Sequence, residues 1–515
     1  LDRCPRYGAT GKGTFLMFRI FGPPGTGKTT ELLNMVDKAL SEDISPNRIA
    51  FLAFTRKAAA EAKERAAERF ALDPDTDLPF FRTLHSFAYR MLNIQQHSLM
   101  QTEHFDDLSS KIGIDLHMQG ASDLEDGPTI ARDHPVLGLI NLARLKKEPL
   151  QRTYNRGDLD LPWHEVDYID RSYSEYKKIH GLVDYTDMLE MFVADASRIC
   201  PTFDYCFLDE AQDLSPLQWD IARVLDEKSG KMYVAGDDDQ AIYRFAGASN
   251  DFIELPGGAE VLEQSYRIPR TVHALAQRIV SRIHRRFPKV YKPKPEEGKV
   301  ERLASIEELD MSEGTWLIMA QANYMLTPLA VELKNMGYLF ERNGARSISE
   351  RVSTAINGWE QLRKGNQVSL HTAQTIYGLM AGNNVRVARG KKKINTDAND
   401  LFSLKKLQDE HGLLADETMI WHEALDKLPA TDRAYITALL RRGERFNAKP
   451  RIRLSTIHQT KGGEAQSVVV FLDLTAAALK GSPDDLHRVF YVAVTRTKQN
   501  LYLIEPEDFA RAYEL

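Results

Sequence analysis

Two short segments place residue types at spacings that suit phosphate chemistry. Residues 22–30 read GPPGTGKTT, a glycine-rich turn closed by lysine and threonine, set between an apolar run and an amphipathic helical pattern. Residues without a β-carbon let successive backbone N–H groups close around phosphate oxygens, and the positive end of the following helix adds to the attraction. Gly22, Pro23, Gly25, Thr26, Gly27, Lys28, Thr29 and Thr30 are therefore the expected nucleotide-binding residues, with Lys28 reaching the outer phosphates and Thr29 holding Mg²⁺. The second segment, residues 207–213, reads FLDEAQD and ends an apolar strand in two acids. Asp209 suits a Mg²⁺ ligand, and Glu210 points to a different side, where a carboxylate orients or deprotonates an attacking water. Acids after a strand are common turn formers, whereas the glycine-rich segment, set between strand and helix, points to phosphate binding by its context; paired with it, the acids point to triphosphate hydrolysis with ATP and Mg²⁺.

Chemistry of this kind needs a scaffold of short buried strands. Apolar runs at residues 15–21, 49–54, 205–208, 232–236 and 259–262 have the texture of parallel strands covered on both faces. Between about residues 95 and 190 the sequence turns polar and amphipathic, which predicts a helical insertion. A Pro/Lys/Glu-rich stretch at 289–299 reads as a connector into a second α/β unit, with strand candidates at 316–320, 452–457, 467–473 and 501–505. The expected fold class is thus α/β, two parallel-sheet domains each carrying a mainly helical insertion. The expected boundaries are 1–95 with 191–275 for the first domain and 96–190 for its insertion, then 276–347 with 450–515 for the second and 348–449 for its insertion.

Bulk properties narrow the class. A chain of 515 residues exceeds one ordinary domain, and 43% apolar with 27% charged residues is the composition of a globular protein. No apolar run approaches the roughly 18 residues that span a bilayer, so no membrane association and a cytoplasmic location are expected. The three cysteines, Cys4, Cys200 and Cys206, have no spacing that suggests a disulfide framework or a zinc site. Leu1 in place of a methionine reads as a processed or incomplete start. A net charge of −6 argues against bulk electrostatic coating of nucleic acid, so any such contact must be local. Basic residues do cluster, from Arg278 through Arg282, Arg285, Arg286, Lys289 and Lys292 to Lys294, at Lys391 to Lys393, and from Arg441 to Arg453; each cluster reads either as a contact surface or as a solvated face.

Further segments carry a resemblance. FTRKAAAEAKER (54–65), TLHSFAYR (83–90), DEAQD, GDDDQAIYRFAGA (236–248), LEQSYRIP (262–269), LSTIHQTKGGEA (454–465) and FYVAVTRTK (490–498) follow one another in the order of the motifs of UvrD/Rep-type superfamily 1 DNA helicases. The chain resembles that family along nearly its whole length. The resemblance implies two RecA-like P-loop domains, with Gln240 sensing the γ-phosphate, Arg267 and Arg496 neutralising charge that develops on it, Tyr266 stacking on the base and Glu464 contacting the ribose. An arginine in that role contributes about 10³–10⁵ in rate. The resemblance further implies grips on DNA at Phe54, Thr55, His85, Tyr243, Phe245, Thr456 and His458. Stacking on an aromatic ring is worth about 1–3 kcal/mol per base, and a duplex step costs on average about 1.4 kcal/mol to unstack, so such grips match the work of opening a duplex.

With Lys28 in the first α/β unit and Arg496 assigned by chain order to the second, both reach one nucleotide only in a cleft between them; hydrolysis then opens and closes the cleft. The function implied is an ATP-dependent helicase that moves 3′ to 5′ on single-stranded DNA and unwinds duplexes, as a monomer with no identified protein partner. A translocase that strips proteins with little unwinding, and an ATP-gated recruitment module, are the alternatives; stacking and phosphate contacts alone also leave RNA open. Departures from the family pattern are Phe245 and Ala246 where tryptophan and arginine are usual, Gly463 and Ala465 in KGGEA, and no clear glutamine motif for adenine before Gly22.

Overall fold

Short runs rich in aromatic and aliphatic residues build the first sheet. The computed structural model describes residues 17–116 and 134–515 except 395, 398, 447 and 507; Cys4, the irregular start and the first two residues of the 15–21 run lie outside them. The first sheet contains β1 (Phe18–Phe21), β2 (Ile49–Ala53), β3 (Phe81–Thr83), β4 (Phe203–Leu208), β5 (Ser229–Gly236) and β6 (Ala259–Val261) in the order β3-β2-β4-β5-β1-β6. Every neighbouring pair is parallel. Strands β2 and β4 are buried almost throughout, as expected where helices cover both faces. The order places the C-terminal ends of β1, β4 and β5 side by side, and the site grows from those ends.

Between β3 and β4 the chain forms helices Thr102–Ile112, Pro135–Leu145, Leu150–Tyr154, Trp163–His180 and Tyr185–Ile199. Phe105, Val136, Ile140, Ile169 and Tyr173 give this insertion a core of its own. Its last helix joins the insertion, through ion pairs, to the core of the first sheet. Asp184 caps the N-terminus by accepting from the Asp187 N–H, and also takes ion pairs from Arg144 and Lys177, while Leu189, Phe192 and Ala196 further along pack into the core beneath the first sheet. Burial alone would raise the Asp184 carboxyl; the charges of Arg144 and Lys177 hold it down at about 2.

The second sheet contains β7 (Lys299–Leu303), β8 (Trp316–Ala320), β9 (Phe340–Arg342), β10 (Ala345–Arg346), and, after an interruption, β13 (Ile452–Thr456), β14 (Ala465–Phe471) and β15 (Thr497–Ile504), in the order β10-β9-β13-β8-β14-β15-β7. All pairs are parallel except the β9–β10 hairpin. The interruption holds helices Glu350–Arg363, Leu370–Gly378, Leu404–His411, Trp421–Ala424 and Ala430–Arg441, together with a small antiparallel pair, β11 (Val368–Ser369) and β12 (Leu401–Phe402). Ile356, Trp359, Tyr377, Leu407 and Leu439 are among the side chains of its separate core.

By packing, the chain divides into two units. One comprises residues 1–298 and Lys480–Arg496 with Leu515, the other Lys299–Leu479 and Thr497–Glu514. Chain order had placed 276–298 and 480–496 with the second sheet. Helices Arg270–Val280 and Pro483–Val494 pack instead within the first unit, because their buried faces, Val272, Leu275 and Ile279 on one and Val489, Tyr491 and Val492 on the other, find their partners there. Among the described residues no helix is long and apolar enough to cross a membrane.

Candidate active site

At the end of β1 the chain turns through residues 22–27 into helix Lys28–Ser41. Gly25 and Gly27 have φ of 72° and 83°, a region costly for any residue with a β-carbon. Gly22 is required for a different reason: a β-carbon there would lie 1.9 Å from Cγ of Lys28, which folds back so that its Nζ donates to the Gly22 carbonyl at 3.1 Å. The same Nζ stands 3.6 Å from Oε1 of Glu210. A β-carbon on Gly25 would lie 2.4 Å from Cβ of Arg267, so the turn packs closely against the segment that carries that arginine. Two hydrogen bonds fix the approach: the Ser265 hydroxyl donates to the Pro24 carbonyl at 2.8 Å, and the Tyr266 N–H to the Gly25 carbonyl at 2.9 Å. Tyr266 itself is 75% exposed, its ring available to a flat ligand.

From the end of β4 to Arg496 the polar groups form one continuous chain of hydrogen bonds. The Thr29 hydroxyl donates to Oδ2 of Asp209 at 2.7 Å, and Oδ1 of Asp209 accepts from the Glu210 N–H at 2.9 Å. Glu210 sits in the left-handed region, φ 55°, which turns its side chain away from that of Asp209. Gln212 Nε2 donates to Oε2 of Glu210 at 2.5 Å, while its Oε1 accepts from the Asp237 N–H at 3.0 Å. Gln240 Nε2 donates to Oδ2 of Asp237 at 2.7 Å, and its Oε1 accepts from Arg496 at 2.6 Å. Asp209, Gln212, Asp237, Gln240 and Arg496 are all buried. Burial and the neighbouring Glu210 charge push the Asp209 carboxyl up to about 6, against the pull of Lys28. A carboxylate held in that state gains from a nearby cation, and the hard oxygens of Thr29 and Asp209 fit Mg²⁺, which takes few protein ligands and completes its shell with phosphate and water.

The aromatic residues expected to touch nucleic acid fall into separate places. Phe54, Tyr243 and Phe245 form a row, with ring centroids 5.8 Å apart for the first pair and 6.2 Å for the second. Tyr243 is buried within the row, Phe54 half-buried, and Phe245 is 56% exposed at its open end. Thr55, beside Phe54, accepts from the Ala58 N–H at 3.2 Å and so caps helix Arg56–Phe70. His85 lies edge-on to Tyr185 at 6.4 Å, an exposed aromatic that sequence reading passed over. In the second unit Thr456 shares a hydrogen bond with Gln459 at 3.2 Å, His458 is half-buried in the turn after β13, and Glu464 pairs with Lys498. At the extra glycine of KGGEA, Gly463, a β-carbon would lie 3.1 Å from the Thr460 carbonyl oxygen and would also displace the end of the Arg453 side chain.

Gln212, Asp237 and Ser265 were not singled out from sequence, although each sits one to three residues from a residue that was. The basic run 278–294 resolves in part into neither reading offered for it. Lys289 and Arg286 are partners of buried acids at 237–239, whereas Arg285 pairs with Glu254 on an exposed face, as the solvated reading expects.

Parallel sheets with a glycine-rich turn after β1 define a RecA-like P-loop protein. Residues 16–256 match the UvrD/REP helicase N-terminal domain and residues 451–504 the UvrD-like helicase C-terminal domain, together more than half of the sequence. The chain belongs to the UvrD/Rep type of superfamily 1 helicases. It is 26% identical over 360 residues to the ATP-dependent DNA helicase PcrA of Leuconostoc citreum, covering 65% of this chain and 46% of that protein. To DNA helicase II of Haemophilus influenzae it is 28% identical over 286 residues, covering 50% and 37%. To a probable DNA helicase II homolog of Mycoplasma genitalium it is 22% identical over 599 residues, covering 94% and 82%. The chain spans under half the length of the first two relatives.

Proposed function

We propose that the chain is an ATP-driven helicase that moves 3′ to 5′ along single-stranded DNA and unwinds duplexes. The observation that carries this reading is the unbroken hydrogen-bonded chain Thr29–Asp209–Glu210–Gln212–Asp237–Gln240–Arg496 beside the glycine-rich turn. A protein that only bound ATP as a switch would have no use for the full set.

The turn at 22–27 holds the phosphates through backbone N–H groups, and Lys28 moves from the Gly22 carbonyl onto the outer phosphates. Thr29 and Asp209 would hold Mg²⁺, which would supply positive charge to the phosphate oxygens. Glu210 orients water and takes its proton as oxygen bonds to the γ-phosphorus and the bond to the β-phosphate oxygen breaks. Arg496 and Arg267 neutralise the negative charge spread over the transferred group, and Gln240, hydrogen-bonded to Arg496, registers whether that group is present. Tyr266 stacks on the base and Glu464 contacts the ribose. On the nucleic-acid side Phe245 offers its open face to a base, with Tyr243 and Phe54 backing it. Thr55, His85, Thr456 and His458 complete the grip. The polarity follows the family.

The experiment is ATP turnover with and without single-stranded DNA, together with unwinding of 3′-tailed and 5′-tailed DNA and RNA duplexes. Stimulated turnover and preferential opening of 3′-tailed DNA are expected. A preference for 5′ tails would refute the polarity, and turnover without unwinding would leave a translocase.

A further inference from the structure

Asp237, Asp238 and Asp239 are three consecutive buried carboxylates, immediately before Gln240. Such a run requires counter-charge, because an unpaired carboxylate out of water is strongly unfavourable. Nζ of Lys289 supplies it, standing 3.1 Å from Asp237, 2.6 Å from Asp238 and 2.7 Å from Asp239, with its own side chain 1% exposed. Arg286 grips Asp239 with two nitrogens at 2.8 and 2.7 Å, the Phe287 N–H donates to Asp238 at 2.7 Å, and Arg488 donates to the Asp238 carbonyl at 2.9 Å. The lysine lies 5.8 Å from the centre of the Phe21 ring, the last residue before Gly22.

The division of labour on Asp237 is the informative detail. Its Oδ1 takes Lys289 and also accepts from the Asp239 N–H at 3.2 Å, and its Oδ2 takes Nε2 of Gln240. With Nε2 committed, the amide of Gln240 has one orientation, and its Oε1 is the atom that accepts from Arg496. We propose that Lys289 is a positioning residue for γ-phosphate recognition: by clamping Asp237 it fixes the orientation of Gln240 and, through it, of Arg496. This rests on the role given to Gln240 above. Lys289 touches neither nucleotide nor nucleic acid in this scheme.

The test compares binding of fluorescent ADP and of a fluorescent non-hydrolysable ATP analogue to wild type, to Lys289→Met, and to Lys289→Met combined with Asp238→Asn. The double variant removes one negative charge with the positive one, so it keeps the local charge close to balance and guards against a failure to fold. In wild type the triphosphate analogue is expected to bind more tightly than ADP. Both variants are expected to lose at least tenfold of that preference while ADP affinity, set by the turn at 22–27, stays within about threefold. Retention of the wild-type preference in either folded variant overturns the proposal, because Lys289 would then supply charge balance only. A wild type without DNA-stimulated hydrolysis but with the preference lost in both variants would sink the motor reading and leave the positioning role standing. A wild type that does not distinguish the two nucleotides overturns the positioning role.

Discussion

Arg496 donates to Oε1 of Gln240 at 2.6 Å, and both side chains belong to one packed unit although 256 residues separate them in sequence. Helix Pro483–Val494 delivers the arginine, and the short turn after β5 delivers the glutamine. The buried guanidinium is met by polar acceptors on two sides: besides Gln240, Arg496 Nε donates to the Val492 carbonyl at 3.1 Å. Removing either partner should act on hydrolysis more than on folding of the sheet. Gln240→Ala is expected to lower turnover by about 10²-fold or more, since it removes one charge-stabilising contact, while binding of ADP is retained; single-turnover phosphate release measures it.

Lys28→Ala removes the cation that lies between the Gly22 carbonyl and Glu210. Turnover should fall below detection, and affinity for single-stranded DNA by fluorescence anisotropy should stay within a few fold. Turnover that persists would place the site elsewhere.

Glu210→Gln keeps shape and backbone conformation, so the partner Gln212 retains a neighbour of the same size. The loss expected is that of a general base, about 10²–10⁴ in rate, with ATP binding intact. A variant that hydrolyses at the wild-type rate would show that water is oriented by another group.

Phe245 and Tyr243 separate grip from packing. Phe245 is exposed, so Phe245→Ala should weaken binding to single-stranded DNA by about 1–3 kcal/mol without changing the melting temperature. Tyr243 is buried between Phe54 and Phe245, so Tyr243→Ala should lower the melting temperature as well. Equal effects of both on stability would place Phe245 in a core.

Stability should fall with acid in a window set by two histidines. Burial, with the nearby charge of Arg56, pushes His85 down to about 4, and burial with the charge of Lys461 does the same to His458. Between pH about 6.5 and 4 the unfolded chain holds protons that the folded chain does not, so their contribution is complete above about 6.5 and lost as pH falls through that interval. Urea titrations at pH 7 and pH 5 should show it, and His85→Gln with His458→Gln should flatten the difference. A slope unchanged by the pair would show that other groups set it.

The strands most legible in sequence were those with continuous apolar runs. β1, β2, β4, β5, β8, β13, β14 and β15 all overlap stretches such as IAFLAF and SVVVFLD. Strands β3, β7 and β9 were missed for physical reasons. Phe81–Thr83 and Phe340–Arg342 are three residues each, and Lys299–Leu303 is a partly exposed edge strand with charges at three of its five positions. The hydrolytic residues were legible because phosphate chemistry tolerates few substitutes at fixed spacing. Lys289 was not, since a basic run looks alike whether it faces water or a buried acid. The signal available was the acid triplet itself: GDDD ends a buried strand, and three carboxylates there demand a cation from somewhere in the chain.

Helix Tyr185–Ile199 constrains how the protein could be shortened. A version lacking the insertion would lose Arg144 and Lys177, leaving Asp184 and Asp187 as close like charges at the start of a helix that carries Leu189 and Phe192 into the sheet's core. Trimming for crystallisation or expression should therefore stop short of Asp184 and pair the cut with neutral replacements for Asp187 and Glu190. Otherwise the pruned chain unravels from a place far from the scissors.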